Sequence, residues 1–285
     1  MNLPHLAQRL FNTPLALHPR KAEVVMAALA ERFGIAHINR AGAWDFDSDE
    51  DFSRAAREDC GYDNLEGIAV IPVHGTLVQK LGSLRPYSGM TGYDGIRHAF
   101  LSALADPDVN AICLDIDSPG GEVAGCFDLV DEIYQARGIK PVHAILTECA
   151  YSAAYAIASA ADRIVVPRTG GVGSIGVIVM HVDWSQKIER DGLKMTIITY
   201  GDRKAETNPY VPLSDVAREA LQTEVDAMGR LFVDTVARNR GISADVIRKT
   251  QAACFMAPDG VGIGLADAVA SPDAAFNELM IIAGV

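Results

Sequence analysis

Residues 148–162 read ECAYSAAYAIASAAD, and this stretch restricts the fold more than any other. Alanine is the strongest helix former, and a run so poor in bulky side chains predicts a short helix packed tightly on its neighbours. Just before it, PVHAIL (141–146) is apolar and β-prone. A buried strand is therefore expected to run straight into a buried helix, with Ser152 at the change. A hydroxyl there has two available roles. It can cap the helix by accepting from a first-turn N–H. It can also face the unpaired N–H groups and the positive end of the helix dipole, a setting that suits a nucleophile whose product is an oxyanion.

The neighbouring sequence repeats the strand–helix theme. From Gly67 onward come GIAVIPVHG, a helix after Asp94, the strand AICLDID, a helix over residues 122–137, PVHAIL, the serine helix, and RIVVP. A further strand is expected at KMTIITY (194–200), and a long helix over residues 213–240. Apolar strands alternating with helices predict an α/β fold with parallel strands and flanking helices on both faces. Right-handed crossovers then bring the strand C-terminal ends to one edge, where ligands bind. Residues 77–92, rich in Gly, Ser and Pro, read as a loop.

The N-terminal part has a different character. In KAEVVMAALAERFG, Val24, Val25, Ala28, Leu29 and Phe33 fall at helical spacing, so residues 1–40 read as a helical extension. Residues 41–66 are acidic and poor in branched apolar side chains, and read as a linker or arm. The division expected is 1–66 as helical segment and linker, and 67–285 as the main domain.

The net charge is −12, which argues against nucleic acid or an anionic membrane as partner. No uncharged run approaches the ~20 residues needed to span a bilayer, and the N-terminus lacks the features of a signal peptide. Cys60, Cys113, Cys126, Cys149 and Cys254 are scattered without ligand spacing. Reduced thiols, a cytoplasmic location and no metal site are expected.

Ser118, Pro119, Gly120 and Gly121 follow a predicted strand. This SPGG is a plain turn, or else bare glycine amides aimed at a substrate carbonyl. With Ser152 one strand over, the N–H groups of Gly121 and Ala153 could form an oxyanion hole. Three residues could serve as base. His181 ends a strand-like run, and no acidic partner is evident for it. His143 lies within a core strand and reads as a satisfied core histidine. Lys204 follows a predicted strand, and it would need burial to lose its proton. Residue types alone leave the choice open.

The order IAVIPVHGTL, LDIDSPGG, YSAAYAIASAADRIVV, GVGSIGVIVM and GDRKAETNPY resembles peptidase family S49, over residues 67 to about 269. The resemblance implies a ClpP/crotonase-like fold and a serine peptidase with a Ser/Lys dyad. Ser152 then matches the nucleophile, Lys204 the general base, Ser174 the serine that supports the dyad, and Gly121 the oxyanion-hole glycine. It implies no cofactor, and a homo-oligomer. Two branches of the family differ in substrate. Signal peptide peptidases are usually membrane-anchored, and the sequence shows no anchor. RLFNTPLALHPRKAEVVMAAL resembles the start of phage capsid maturation proteases, so scaffold, portal or coat proteins, or the chain itself, are the expected substrates, within the procapsid in the host cytoplasm. The rival readings are a soluble signal-peptide-peptidase-like protease, crotonase-like acyl-CoA chemistry, and a non-enzymatic capsid assembly or scaffold protein on the same fold.

Overall fold

A computed structural model of the chain describes residues 13–18, 59–86 and 89–285. The helix expected over residues 21–34 lies outside these, as does most of the acidic stretch.

The centre of the fold is a mostly parallel sheet. Its strands are β1 (Leu15–Leu17), β2 (Asp63–Leu65), β3 (Ile68–Val78), β4 (Met90–Gly92), β5 (Ala111–Glu122), β6 (Val142–Tyr151), β7 (Arg163–Val166), β8 (Gly171–Gly173), β9 (Cys254–Met256) and β10 (Ala268–Val269). The main path runs β10-β7-β6-β5-β3-β2. The β3, β5, β6, β7 and β10 neighbours are all parallel. Three pairs are antiparallel: β1 on β5, β2 on β3, and β9 on β8. The expected α/β architecture with parallel strands and flanking helices is therefore the observed one.

The helices are α1 (Tyr93–Ala105), α2 (Cys126–Gln135), α3 (Ala153–Ala160), α4 (Ser185–Arg190), α5 (Asp215–Arg240), α6 (Ala244–Lys249), α7 (Ala257–Gly262) and α8 (Pro272–Ala283). The larger core lies on one face, where Ile112, Leu114, Ile116, Ala144 and Leu146 meet Phe100, Ile133, Tyr155 and Phe232. Period-two alternation sends Ile68, Cys113, Ile145 and Val165 to the other face, under Ala275 and Leu279 of α8.

The second face is only half covered. Beyond α8 it turns polar, with His74, Asp115 and Asp117 toward the strand ends. The expectation of full cover on both faces fails here, because CLDID alternates apolar with acidic residues. His74 Nε2 lies 3.0 Å from Asp115 Oδ2. The hydrogen bond to Asp115 raises the His74 pKa above its ordinary value, against the opposing effect of burial. A raised histidine pKa stabilises the fold below the unfolded pKa, and that contribution is lost as pH rises through the folded value. The His74 side chain is 40% exposed, so solvent weakens the pair. His74→Gln should lower the thermal midpoint by about 1–2 °C at pH 5.5 and hardly at all at pH 9, as read by calorimetry. His143 acts with the opposite sign. It is buried, its Nδ1 has no hydrogen-bond partner among the described residues, and burial lowers its pKa. It is thus core but not satisfied, contrary to the sequence reading. Its effect is common to both chains and cancels in the comparison.

Several N-terminal expectations change. Leu15–Leu17 is a strand rather than helix, buried along its whole length. β2 pairs with β3 through a tight turn in which Glu66 and Gly67 both have positive φ (51° and 84°). That is the two-residue hairpin geometry, so the boundary expected near Glu66 falls inside a hairpin. The helix expected after Asp94 begins one residue before it, at Tyr93, and Asp94 lies in its first turn. Its carboxylate accepts from the N–H groups of Leu81 and Gly82, both at 3.1 Å. The expected strand at residues 194–200 is absent. Met195, Ile197, Ile198 and Tyr200 are exposed there, with Ile198 at 92%. No described strand pairs with this segment, so its β propensity goes unused.

Candidate active site

β6 ends at Tyr151 and α3 begins at Ala153, so Ser152 is the single residue between strand and helix. Its φ is 56° and its ψ is −121°. A residue with a Cβ seldom adopts this conformation, which costs about 1–3 kcal/mol. The surroundings hold it in place. Its N–H donates to Gly173 O at 2.8 Å, and its carbonyl accepts from Ala156 N at 2.9 Å.

The hydroxyl does not cap the helix. Ser152 Oγ instead lies 3.5 Å from Gly176 O, at the outer limit of a hydrogen bond. The capping reading is thereby overturned, because the positive φ turns the side chain away from the first-turn amides. Those amides stay available, Ala153 N–H among them as the first of the helix.

α3 is clamped at its other end. Arg137 donates to the carbonyls of Ser159 (3.0 Å), Ala160 (2.9 Å) and Ala161 (2.7 Å). A guanidinium there satisfies the orphan carbonyls and complements the dipole. Tyr155 Oη donates to Leu265 O at 2.9 Å. Every α3 residue is buried, as the alanine run predicts.

SPGG is part of a strand, not a turn after one. β5 runs through it to Glu122, with Ser118 opposite Ala150 of β6, and Gly120 and Gly121 opposite Thr76 and Leu77 of β3. Both glycines are required by close approach. A Cβ on Gly121 would strike the Leu77 carbonyl. Gly120 has φ +100°, and a Cβ there would lie 2.9 Å from Ser152 Cβ and 2.9 Å from Tyr151 O. Gly120→Ala should destabilise the fold by about 2–3 kcal/mol, measured by denaturant unfolding. It should also displace Ser152, reducing its reaction with an electrophilic probe.

Ser174 follows β8, which pairs with the end of β6. It is buried and also has positive φ, at 55°. Its N–H donates to Ala253 O at 2.9 Å. Ser152, Ala153, Gly120, Gly121 and the 173–176 turn thus converge on one edge of the sheet. Lys204 lies elsewhere in character. It is exposed in the turn after residue 201, and its ammonium makes no hydrogen bond or ion pair with a described residue. His181 is half-buried. Among the described residues, no group of three or more His, Cys, Asp or Glu is placed to hold a metal ion.

Cys149 is near this edge, with Sγ 3.4 Å from Asp117 Oδ1. Burial first, and the Asp117 charge second, push its thiol up to about 12, so it is not a competing nucleophile at neutral pH. Two contributors escaped the sequence reading. Gly120 was legible only as one of a pair. Leu15–Leu17, a three-residue apolar run between Pro14 and His18, is too short to signal a strand.

A strained serine between a parallel strand and a buried helix, lying against a glycine strand, is chemically able to act as a nucleophile. The chain belongs to peptidase family S49, whose family model matches residues 135–285. It is 42% identical over 278 residues to the capsid assembly protease C of Escherichia phage lambda, covering 93% of this chain and 63% of that protein. It is 40% identical over 274 residues to the head-tail preconnector protein GP5 of Enterobacteria phage P21, covering 93% of this chain and 55% of that one. The chain therefore spans less than two thirds of the length of either relative. Among solved structures, a mutant ClpP1 from Listeria monocytogenes overlaps 71% of this chain and 91% of its own, at 15% identity and a TM-score of 0.44. No helix among the described residues is long and apolar enough to cross a membrane.

Proposed function

We propose that the chain is a serine endopeptidase of phage or prophage origin that processes capsid proteins during head maturation. The observation that carries this reading is Ser152, held at positive φ with its hydroxyl turned away from the helix it could cap. Strain of this kind persists only where surrounding bonds enforce it, and it gathers at reacting centres.

The chemistry is acyl transfer. Neutral Lys204 takes the Ser152 proton, and Ser152 Oγ attacks the substrate carbonyl carbon. The amides of Gly121 and Ala153 hold the oxyanion. Lys204 then protonates the leaving amine as the peptide C–N bond breaks. Water repeats the sequence on the acyl-enzyme and releases Ser152. Ser174 supports the dyad by orienting the lysine.

This assignment of the base rests on resemblance. It requires the segment around residues 191–213 to bring Lys204 to Ser152 and to exclude water there. The exposed apolar side chains of Leu193, Met195, Ile197, Ile198 and Tyr200 support a segment that docks on something, because such a cluster tends to be covered in use. A homo-oligomer is the proposed state, and a second copy would supply that cover. The peptidase unit is residues 67–285, to which β1 and β2 add strands.

Phage head proteins are the proposed substrates, cleaved in the procapsid within the host cytoplasm, in keeping with the names of the lambda and P21 relatives, a capsid assembly protease and a head-tail preconnector protein. The test is mass spectrometry of scaffold, portal and coat proteins co-expressed with the wild-type chain and with Ser152→Ala. Truncated head proteins should appear with wild type alone. Identical head proteins in both samples would remove the capsid reading.

A further inference from the structure

β1 lies where an extended peptide substrate of Ser152 would bind. It is antiparallel to the SPGG part of β5, with Leu17 opposite Gly120, Ala16 opposite Gly121 and Leu15 opposite Glu122. His18 N–H donates to Pro119 O at 2.8 Å, and Val123 N–H donates to Pro14 O at 3.4 Å. Antiparallel bonds alternate by two residues. Ala16 and Gly121 therefore form the doubly bonded pair between those two, and the Ala16 carbonyl accepts from the Gly121 N–H. That N–H is the proposed oxyanion donor. A Cβ on Gly120 would meet the Ala16 carbonyl oxygen on one side and Ser152 Cβ on the other, so both atoms border the same glycine.

The other edge of β1 is also engaged. Leu15 N–H donates to Ile178 O, and Ile178 N–H donates to Leu15 O, both at 2.9 Å. The segment thus sits between two walls, bonded through Ala16 to one and through Leu15 to the other, as an added strand does in peptide recognition. Ala16 is fully buried, and Leu15 and Leu17 are 3% and 5% exposed. The His18 ring lies against Tyr151, centroids 5.0 Å apart, next to the nucleophile. An ordinary edge strand would need only one wall, and would not place a carbonyl on the site's amide donor.

We infer that β1 is a built-in substrate strand and that the bond between Ala16 and Leu17 is a self-cleavage site of Ser152. The inference rests on the peptidase reading. Ser152 Oγ bonds to the Ala16 carbonyl carbon, and its proton passes through the base to the Leu17 nitrogen as the Ala16–Leu17 C–N bond breaks. Water then hydrolyses the Ala16 ester. The products are a segment ending in the Ala16 carboxylate and a chain starting at the Leu17 amine. Freed from its peptide bond, the strand can leave, and the groove opens to other chains. The residue on the acyl side of a cleaved bond is then small, since Ala16 has no free space around it.

The test is intact-mass analysis and N-terminal sequencing of the full chain, with fluorophosphonate labelling of Ser152 on the same samples. Wild type should be labelled and should yield a chain starting at Leu17, while Ser152→Ala stays joined at that bond. Ala16→Glu, which forces a charge into a closed site, should slow the cut at least about 100-fold. A wild-type chain that is labelled at Ser152 but keeps residues 16 and 17 joined overturns the self-cleavage site and leaves the peptidase reading standing. A cut at another bond overturns the register. A wild-type chain that is neither labelled nor cut overturns the peptidase reading and this inference with it.

Discussion

Ser152→Ala is expected to abolish fluorophosphonate labelling and to lower peptide cleavage by on the order of 10⁴-fold or more, as seen when a serine nucleophile is removed. The same change should barely alter stability. Among the described residues the hydroxyl makes one hydrogen bond, 3.5 Å long, to Gly176 O, so its loss costs at most about 1 kcal/mol. The strained backbone is held by the bonds of its N–H and carbonyl, which alanine keeps. A folded chain without activity therefore separates a nucleophile from a structural serine. Wild type and variant cleaving alike, in a matched peptide assay, would remove the peptidase reading. An acyl-CoA site with no probe labelling would point to crotonase-like chemistry, and an inert wild type to an assembly role on the same fold.

Lys204→Ala is expected to lower turnover by about 10²–10⁴-fold, the usual contribution of a general base. Lys204 is exposed and its ammonium is unpaired with any described residue, so the thermal midpoint should not move. His181→Ala should leave most of the turnover. Rates measured for both variants on one peptide decide between the bases. The reverse pattern would replace the lysine with a Ser/His mechanism. The lysine prediction also bears on the 191–213 segment. Lys204 is exposed, and a general base must come within hydrogen-bond reach of the proton it takes, so a large Lys204 effect requires that segment to close over Ser152 or to dock on a second copy. Restoring a cation with Lys204→Arg should not rescue, because guanidinium does not give up its proton.

The legible parts of the site share a physical character. PVHAIL and the alanine run are local signals, and each matched one element with its burial. SPGG was legible as backbone without side chains but not as strand: it reads as a turn, and it belongs to β5 itself. Long amphipathic patterns also held: α5 begins at Asp215 after the Ser214 cap and ends at Gly241 in the left-handed region. The failures depend on distant partners. KMTIITY has strand propensity, but a strand needs a partner, and no described strand pairs with it. CLDID sends Cys113 under α8 and its acidic residues to the part of the same face that α8 leaves uncovered. LAL carries no local strand signal at all, and is a strand only because the SPGG edge and Ile178 receive it.

The amino-acid sequence by itself determined the α/β class, the strand–serine–helix junction and the glycine pair. Each follows from periodicity, propensity or the absence of a Cβ within a few residues. Only the tertiary structure decided that the Ser152 hydroxyl leaves its helix uncapped, since that depends on a positive φ enforced by Gly173. Only the tertiary structure, likewise, seated Leu15–Leu17 on Gly120 and Gly121. More than a hundred residues separate the two segments, and no local rule links a three-residue run to the part of the sheet that receives it.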